Sequence, residues 1–323
     1  DIMANFSYDL KKEICEKPIL SDEQALSELS AIIKSCGEIR LKQNNWLIVL
    51  ATEFDRLIDR VNKLLTFLYK ETATESRIIE YKRDRLEIIF PLEMSEKILI
   101  DTEVMFYDEE KYLCLNSGIS KYIIATDEQM RAYIQGAILG CFTSNIVLSE
   151  ENDDKTAKNS GYHCEFVFNS ETMSQDFSEL LSQYDILPKK FARKNDYVVY
   201  IKDFEQVCLL LETLSTPKCY LKLKDENTIR EVRNQVNRQN NCILANSTKT
   251  VNASVKQLEN IKIISETIGI EKLEEPLQEV CYLRLANPEE SLDDLVKLSM
   301  SKITKSGLYH RFKKIEKIAN ELK

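Results

Sequence analysis

The chain has 323 residues, of which 43% are apolar and 30% charged, with a formal net charge of -9. At roughly 150 residues per folding unit, this length predicts two or three domains with sizeable cores. No apolar stretch approaches the roughly 20 residues that span a bilayer, and Asp1-Ile2-Met3-Ala4-Asn5 lacks the marks of a secretion signal, so neither a membrane nor a secreted chain is expected.

Residues 21–36 predict a helix, with Ser21 as N-cap, Gln24 three residues on and Gly37 as the stop. Glu38–Arg40 and Trp46–Ala51 read as strands about a turn at Gln43-Asn44-Asn45. Residues 53–69 carry a helical stripe at Phe54, Leu57, Ile58, Val61, Leu64 and Leu65. Strands at Ser76–Glu80 and Leu86–Phe90, about Lys82-Arg83-Asp84, and a helix after Pro91 complete a first unit. The same order then returns: a helix over 127–141 capped by Asp127, strands near Asn145–Leu148 and Tyr162–Phe168 about a polar loop Ser149–Ser160, and a helix over 171–184. A hairpin over 189–193 and 196–201 and a helix over 203–214 close it. Two runs of one pattern indicate an internal duplication.

From residue 226 onward the pattern is helical throughout. Helices over 226–238 and 248–268 flank an Asn-rich joint, followed by a helix over 271–286 that stops at Ala286-Asn287-Pro288. A short helix, Leu292–Met300, is capped by Ser291, and a last one covers Ser306–Leu322. The expected division is 1–124 and 125–220 for the two repeats and 221–323 for an all-α domain, with the boundary between about 218 and 226.

Charge is uneven along this division. Residues 221–323 hold 18 basic and 15 acidic side chains, a net +3, which leaves -12 on the first 220 residues. Within the C-terminal part, 221–262 and 301–323 are basic islands about an acidic spacer, a footprint that suits phosphates because local charge sets the potential a ligand feels. A solvated, dipole-complementing set of helices would look the same on charge alone. Nine cysteines without a C-x-x-C pair fit buried thiols in a reducing cytoplasm; with only His163 and His310 beside them, neither a metal site nor a cofactor is expected.

The last 33 residues predict a helix-turn-helix over about 291–322. Leu308, Phe312, Ile315 and Ile318 form the packing face of its second helix. Ser306, Tyr309, His310 and Arg311 are then placed to read base edges, and Lys305, Lys313 and Lys314 to meet phosphates. Asn237, Arg238, Asn241, Asn246 and Lys249, in the basic island upstream, are the second candidate set for DNA contacts.

These residues also carry a resemblance. Asn237-Arg238-x-x-Asn241-Cys242-x-x-Ala245-Asn246-x-x-Lys249-Thr250, followed by Gln257-Leu258-Glu259-Asn260-Ile261, resembles the signature of the bacterial WhiA regulators. Ile303-Thr304-Lys305-Ser306-Gly307-Leu308-Tyr309-His310-Arg311-Phe312-Lys313-Lys314-Ile315 looks like that family's closing helix-turn-helix. The resemblance implies an α+β fold: two repeats similar to LAGLIDADG homing endonucleases, then an all-α domain similar to sigma-factor region 4. It implies links to sporulation in some bacteria and to cell division and chromosome segregation in others.

A LAGLIDADG nuclease carries an acidic metal ligand near the end of each interfacial helix. Laying that pattern on Leu29–Gly37 and Ile134–Phe142 puts Cys36 and Cys141 at the acid positions, where a thiol suits magnesium poorly. Ala31, Gly136, Ala137 and Gly140 still permit close helix approach, while Phe142 stands where the pattern wants glycine. The reading is a non-enzymatic, sequence-specific regulator of transcription, cytoplasmic and nucleoid-associated, that binds double-stranded DNA. Its acidic repeats are expected to be free for other regulators or RNA polymerase. A division-machinery scaffold and a residual homing-type endonuclease are the alternatives.

Overall fold

The computed structural model describes residues 6–80, 83–146, 148 and 161–322. After α1 (Phe6–Cys15), the first repeat runs α2 (Asp22–Cys36), β1 (Gly37–Lys42), β2 (Asn45–Thr52), α3 (Leu57–Tyr69), β3 (Thr74–Glu80), β4 (Arg83–Ile89) and α4 (Leu92–Asp101). A small hairpin follows, β5 (Met105–Tyr107) and β6 (Leu113–Leu115). The second repeat runs α5 (Asp127–Cys141), β7 (Phe142–Ser144), β8 (Cys164–Phe168), α6 (Glu171–Ser182), β9 (Lys189–Arg193), β10 (Asp196–Ile201) and α7 (Phe204–Thr213). Then come α8 (Pro217–Thr267), α9 (Glu275–Ala286), α10 (Leu292–Leu298) and α11 (Lys305–Glu321). Two compact units divide the chain between Thr228 and Ile229, within α8.

The duplication is visible in the topology. The two four-stranded antiparallel sheets have the orders β1-β2-β4-β3 and β7-β8-β10-β9, the same path walked twice. Short-range chemistry builds each copy. Ser21 caps α2 by accepting from the Gln24 amide at 3.2 Å, and Gln43 and Asn44 take the left-handed conformation that a two-residue hairpin turn requires between Lys42 and Asn45.

Four expectations are corrected. The cap of α5 is Thr126, which forms a reciprocal capping box with Gln129, not Asp127. No strand lies at Asn145, Ile146 or Leu148; α5 passes directly into β7 at Phe142, whose φ of -80° is ordinary extended backbone, so no glycine is needed there. Phe142 is buried against Phe166, with ring centroids 5.2 Å apart. The Asn-rich joint is not a break: α8 is one helix of 51 residues. The polar loop Ser149–Ser160 and the turn residue Lys82 lie outside the described residues.

The first unit is organised by α2 against α5. A Cβ on Gly136 would lie 2.3 Å from the Glu28 carbonyl oxygen, and one on Gly140 would lie 2.6 Å from Ser35 Cβ. Only glycine allows that approach. The Glu28 side chain, on the same residue, accepts from Arg60 Nε and Nη2 at 2.7 Å each, and Arg60 Nη1 donates to Lys17 O at 2.6 Å. Both side chains are almost wholly buried, so the bidentate pair compensates charges that water cannot reach. Glu13 does similar work at the start of α8, accepting from the Lys218 and Cys219 amides at 2.9 Å.

The second unit contains no strand among its described residues. Its core gathers Ile261 and Ile264 of α8, Val280 and Cys281 of α9, Leu295 of α10, and Leu308, Phe312 and Ile315 of α11. Buried Arg284 donates to Gln257 Oε1, Asn287 O and Glu290 O and lies over the Phe312 ring. Glu316 on α11 pairs with Lys256 of α8 at 2.6 Å and with Lys313 at 2.7 Å. No helix of the described residues is long and apolar enough to cross a membrane.

Gly136→Ala is expected to destabilise the first unit by about 1–3 kcal/mol through overpacking, read as a lower thermal midpoint. The two lysines hold the Glu316 carboxyl well below its usual range, at about 2. Because that folded value is depressed, its contribution is full above the unfolded value and is lost as pH falls from about 4.5 toward about 2. Glu316→Gln should therefore cost at most about 1 kcal/mol at neutral pH and flatten the melting profile across that window.

Candidate nucleic-acid interface

The helix-turn-helix rests on two caps. Ser291 Oγ accepts from the Asp294 amide at the start of α10, and Thr304 Oγ1 accepts from the Gly307 amide at the start of α11. Between them, Ser299 Oγ donates to Ser301 O at 3.1 Å and tightens the turn. Lys305 is therefore the first residue of α11 rather than part of the connection, and its ammonium pairs with Asp293 of α10.

Burial along α11 follows the helical period. Leu308, Phe312, Ile315 and Ala319 are buried, which leaves Ser306, Tyr309, His310, Lys313, Lys314 and Lys317 exposed on the other face. Tyr309 is 49% exposed and stands 6.0 Å, ring centroid to centroid, from His310. The Lys313 ammonium lies 6.0 Å from the Tyr309 ring centre and pairs with Glu316, which raises its pKa. The face thus presents aromatic, imidazole and ammonium groups together, the set that stacks on bases and neutralises phosphates.

Arg311 stands apart from this face. Half-buried on the flank of α11, its Nη1 lies 3.5 Å from Glu279 Oε2 and donates to Pro276 O at 3.4 Å, which ties α11 to α9. Lys317 belongs to the exposed face and was not among the residues expected from sequence; its spacing of four from Lys313 and seven from His310 is the signal that finds it.

The Asn-rich set lies on α8. Asn237, Arg238, Asn241, Asn246 and Lys249 are all exposed, over a helical length of roughly 18 Å. Asn237, Arg238, Asn241 and Lys249 fall within about a third of a turn of one another around the helix, whereas Asn246 lies outside that sector, opposite Asn237. Arg238 Nε donates to Asn234 O at 3.3 Å and Asn246 Nδ2 to Cys242 Sγ at 3.7 Å. Lys256, whose pair with Glu316 joins α8 to α11, is two turns beyond Lys249, roughly 10 Å along the axis.

At the other possible chemical centre, Cys36 Sγ and Cys141 Sγ each donate to the carbonyl four residues back, Ile32 O and Ala137 O, at 3.4 Å. Burial pushes the thiols up, Cys36 to about 12 and Cys141 to about 11, so both are neutral at physiological pH. Their neighbour Lys11 is a desolvated ammonium. Among the described residues no three His, Cys, Asp or Glu side chains are grouped to hold a metal ion. Two protonated thiols beside a lysine are a poor donor set for a hard divalent cation.

Residues 130–233 match the model of the WhiA LAGLIDADG-like domain, and residues 236–319 that of the WhiA C-terminal HTH domain. The chain is 35% identical over 322 residues to the probable cell division protein WhiA of Clostridium perfringens, covering 99% of this chain and 98% of that one. It is 36% identical over 324 residues to the protein of the same description from Clostridium acetobutylicum, with the same coverages. The crystal structure of full-length DUF199/WhiA from Thermatoga maritima shares its fold, with a TM-score of 0.57 and 24% identity over 99% of this chain and 98% of that one. Two repeats of one LAGLIDADG-like path followed by a helix-turn-helix, with relatives of this identity along the whole length, mean that the chain belongs to the WhiA family.

Proposed function

We propose that this protein is a sequence-specific, non-catalytic DNA-binding regulator of transcription, acting on genes tied to cell division and chromosome segregation from a nucleoid-associated position in the cytoplasm. The observation that carries the reading is the open face of α11. Its apolar side is used up in the core, while Ser306, Tyr309, His310, Lys313, Lys314 and Lys317 remain turned outward on one helix of a capped helix-turn-helix. A helix of that kind fits the major groove, where Ser306, Tyr309 and His310 read base edges and the lysines meet phosphates. Arg311 joins them by exchanging Glu279 for a base, and Asn237, Arg238, Asn241, Asn246 and Lys249 add contacts to the backbone.

The repeats, taken as residues 1–124 and 125–220, serve as a scaffold rather than a nuclease. Neutral, half-buried thiols at Cys36 and Cys141 support this, because they offer no charge to a metal-bound phosphodiester. The acidic first 220 residues suit protein partners, such as other regulators or RNA polymerase. A second reading, a scaffold of the division machinery working through protein contacts alone, is favoured by the exposed aromatic side chains of Phe106, Tyr107 and Tyr112 in the β5–β6 hairpin. Genome-wide mapping of bound sites decides between them: enrichment at discrete promoters supports the regulator, and its absence the scaffold.

In anisotropy titrations of promoter fragments, His310→Ala should weaken specific binding by about 1–3 kcal/mol, whereas Lys314→Ala should weaken all sequences alike and lower the salt slope by about 1. Arg311→Ala should also cost about 1–3 kcal/mol in specific binding. Glu279→Gln, which releases the guanidinium, should tighten binding; an unchanged affinity would leave Arg311 as a tie between α9 and α11.

A further inference from the structure

The cavity with the most unexplained chemistry lies in the first unit. It measures about 650 Å3 and is bounded by the end of α2, the edge strand β1, the loop after β6 and the first turn of α6. That volume falls in the range of small-molecule sites. Ile33, Ile39, Val104 and Met173 give it an apolar floor, and Asn116, Ser117, Asn169 and Ser170 give it a polar rim.

Into this space α2 sends Lys34. Its ammonium donates to Asn116 O at 2.7 Å and to Gly118 O, two neutral acceptors, which leaves one of its three protons. Among the described residues, no carboxylate lies within ion-pair distance of it. The nearest acid that acts on it, Asp176, gives its Oδ2 to the Ile119 amide at 2.7 Å. Burial lowers the lysine's pKa to about 8, and Asp176, beyond ion-pair distance, offsets that only in part, so the charge is partly desolvated and has no carboxylate in direct contact. The other cation on the rim, Arg40, is already neutralised by Glu38 and Glu87.

The duplication shows that the fold does not require this charge. With Cys36 laid on Cys141, the position of Lys34 in α2 becomes Leu139 in α5, fully buried and apolar. The second repeat packs that turn with a hydrocarbon, so the first keeps an ammonium where packing alone is satisfied without one. The loop that Lys34 holds is fixed from the far side too: Ser170, the cap of α6, donates to Ser117 O at 3.1 Å. The start of α6, at Ser170 and Met173, therefore lines the same cavity as Lys34.

The geometry points to a binding site for a small organic anion, a carboxylate or phosphate monoester on an apolar body, with the anionic group on Lys34 and the α6 N-terminus and the body on the Ile33–Ile39–Met173 floor. It is a ligand site in the repeat unit, and it does not depend on the DNA-binding reading.

Calorimetric titration of the full chain with phenyl phosphate and with benzoate tests it, with benzyl alcohol as the uncharged control and a short DNA duplex as competitor. One saturable site is expected, with at least one anion bound tenfold or more tighter than the alcohol; which anion wins identifies the head group. Lys34→Leu, which copies the residue of the second repeat, should erase the preference for the anion. Ser117→Trp, which adds bulk at the cavity rim and leaves Lys34 in the sequence, should abolish binding, with melting curves confirming that each variant is folded. The absence of a saturable site, equal binding of anion and alcohol, or undiminished binding to folded Ser117→Trp would overturn the assignment. So would displacement of the bound anion by the duplex, which would make the cavity a contact for the DNA backbone.

Discussion

The first unit depends on one close approach, the backbone of α5 at Gly136 against the carbonyl of Glu28 on α2. Two helices that touch at main-chain atoms cannot carry side chains at the contact, so the interface is written in glycine and alanine and its specificity has to come from the rim. Glu28 supplies that directly. Its carbonyl receives the glycine, and its carboxylate holds Arg60 and through it the Lys17 backbone. One residue thus sets both how near the two repeats come and how α3 is clamped to α2. The sheets follow, since β1 and β7 each begin at the residue after a central helix ends.

Much of this was legible in the sequence because local chemistry decided it. The cap at Ser21, the hairpin register about Gln43-Asn44 and the strand pair about Lys194-Asn195 are short-range features, and the small residues of α5 announced the close approach. What failed did so for identifiable reasons. Asparagine competes with its own backbone for hydrogen bonds and so suggests a break at 239–247, yet the helix continues through it, anchored at its start by Glu13 and at its end by the burial of Ile261 and Ile264. The strand β7 was displaced because a helix-to-strand passage without a turn residue leaves no punctuation. The helix α1 and the β5–β6 hairpin were not anticipated at all.

The candidate interface divides along the same line. Helical periodicity placed Leu308, Phe312 and Ile315 inside and Ser306, Tyr309, His310, Lys313 and Lys314 outside, since that depends on i, i+3 and i+4 spacing alone. At the flanks it missed, because Arg311 is half-buried against α9 and Ile318 is only partly buried where Ala319 is buried. Partners across tens of residues were invisible: Glu279 for Arg311, Glu316 for Lys256, and Gln257 for Arg284. These long-range pairs decide which cations face outward uncommitted, so a basic patch counted from sequence overstates the charge available to a ligand. The same holds in the first unit, where Arg40 is spent on two carboxylates and Lys34, one turn from the end of α2, is not.

In the middle of α8, from residue 234 to 249, every side chain is exposed, including Val236, Ile243 and Leu244. Those turns contribute nothing to either core, and each core closes on residues of its own side of the helix. Mutations there escape the packing constraints that police the two folded bodies. The join is therefore where evolution could have spliced the helix-turn-helix unit onto the LAGLIDADG-like repeats without renegotiating either interior.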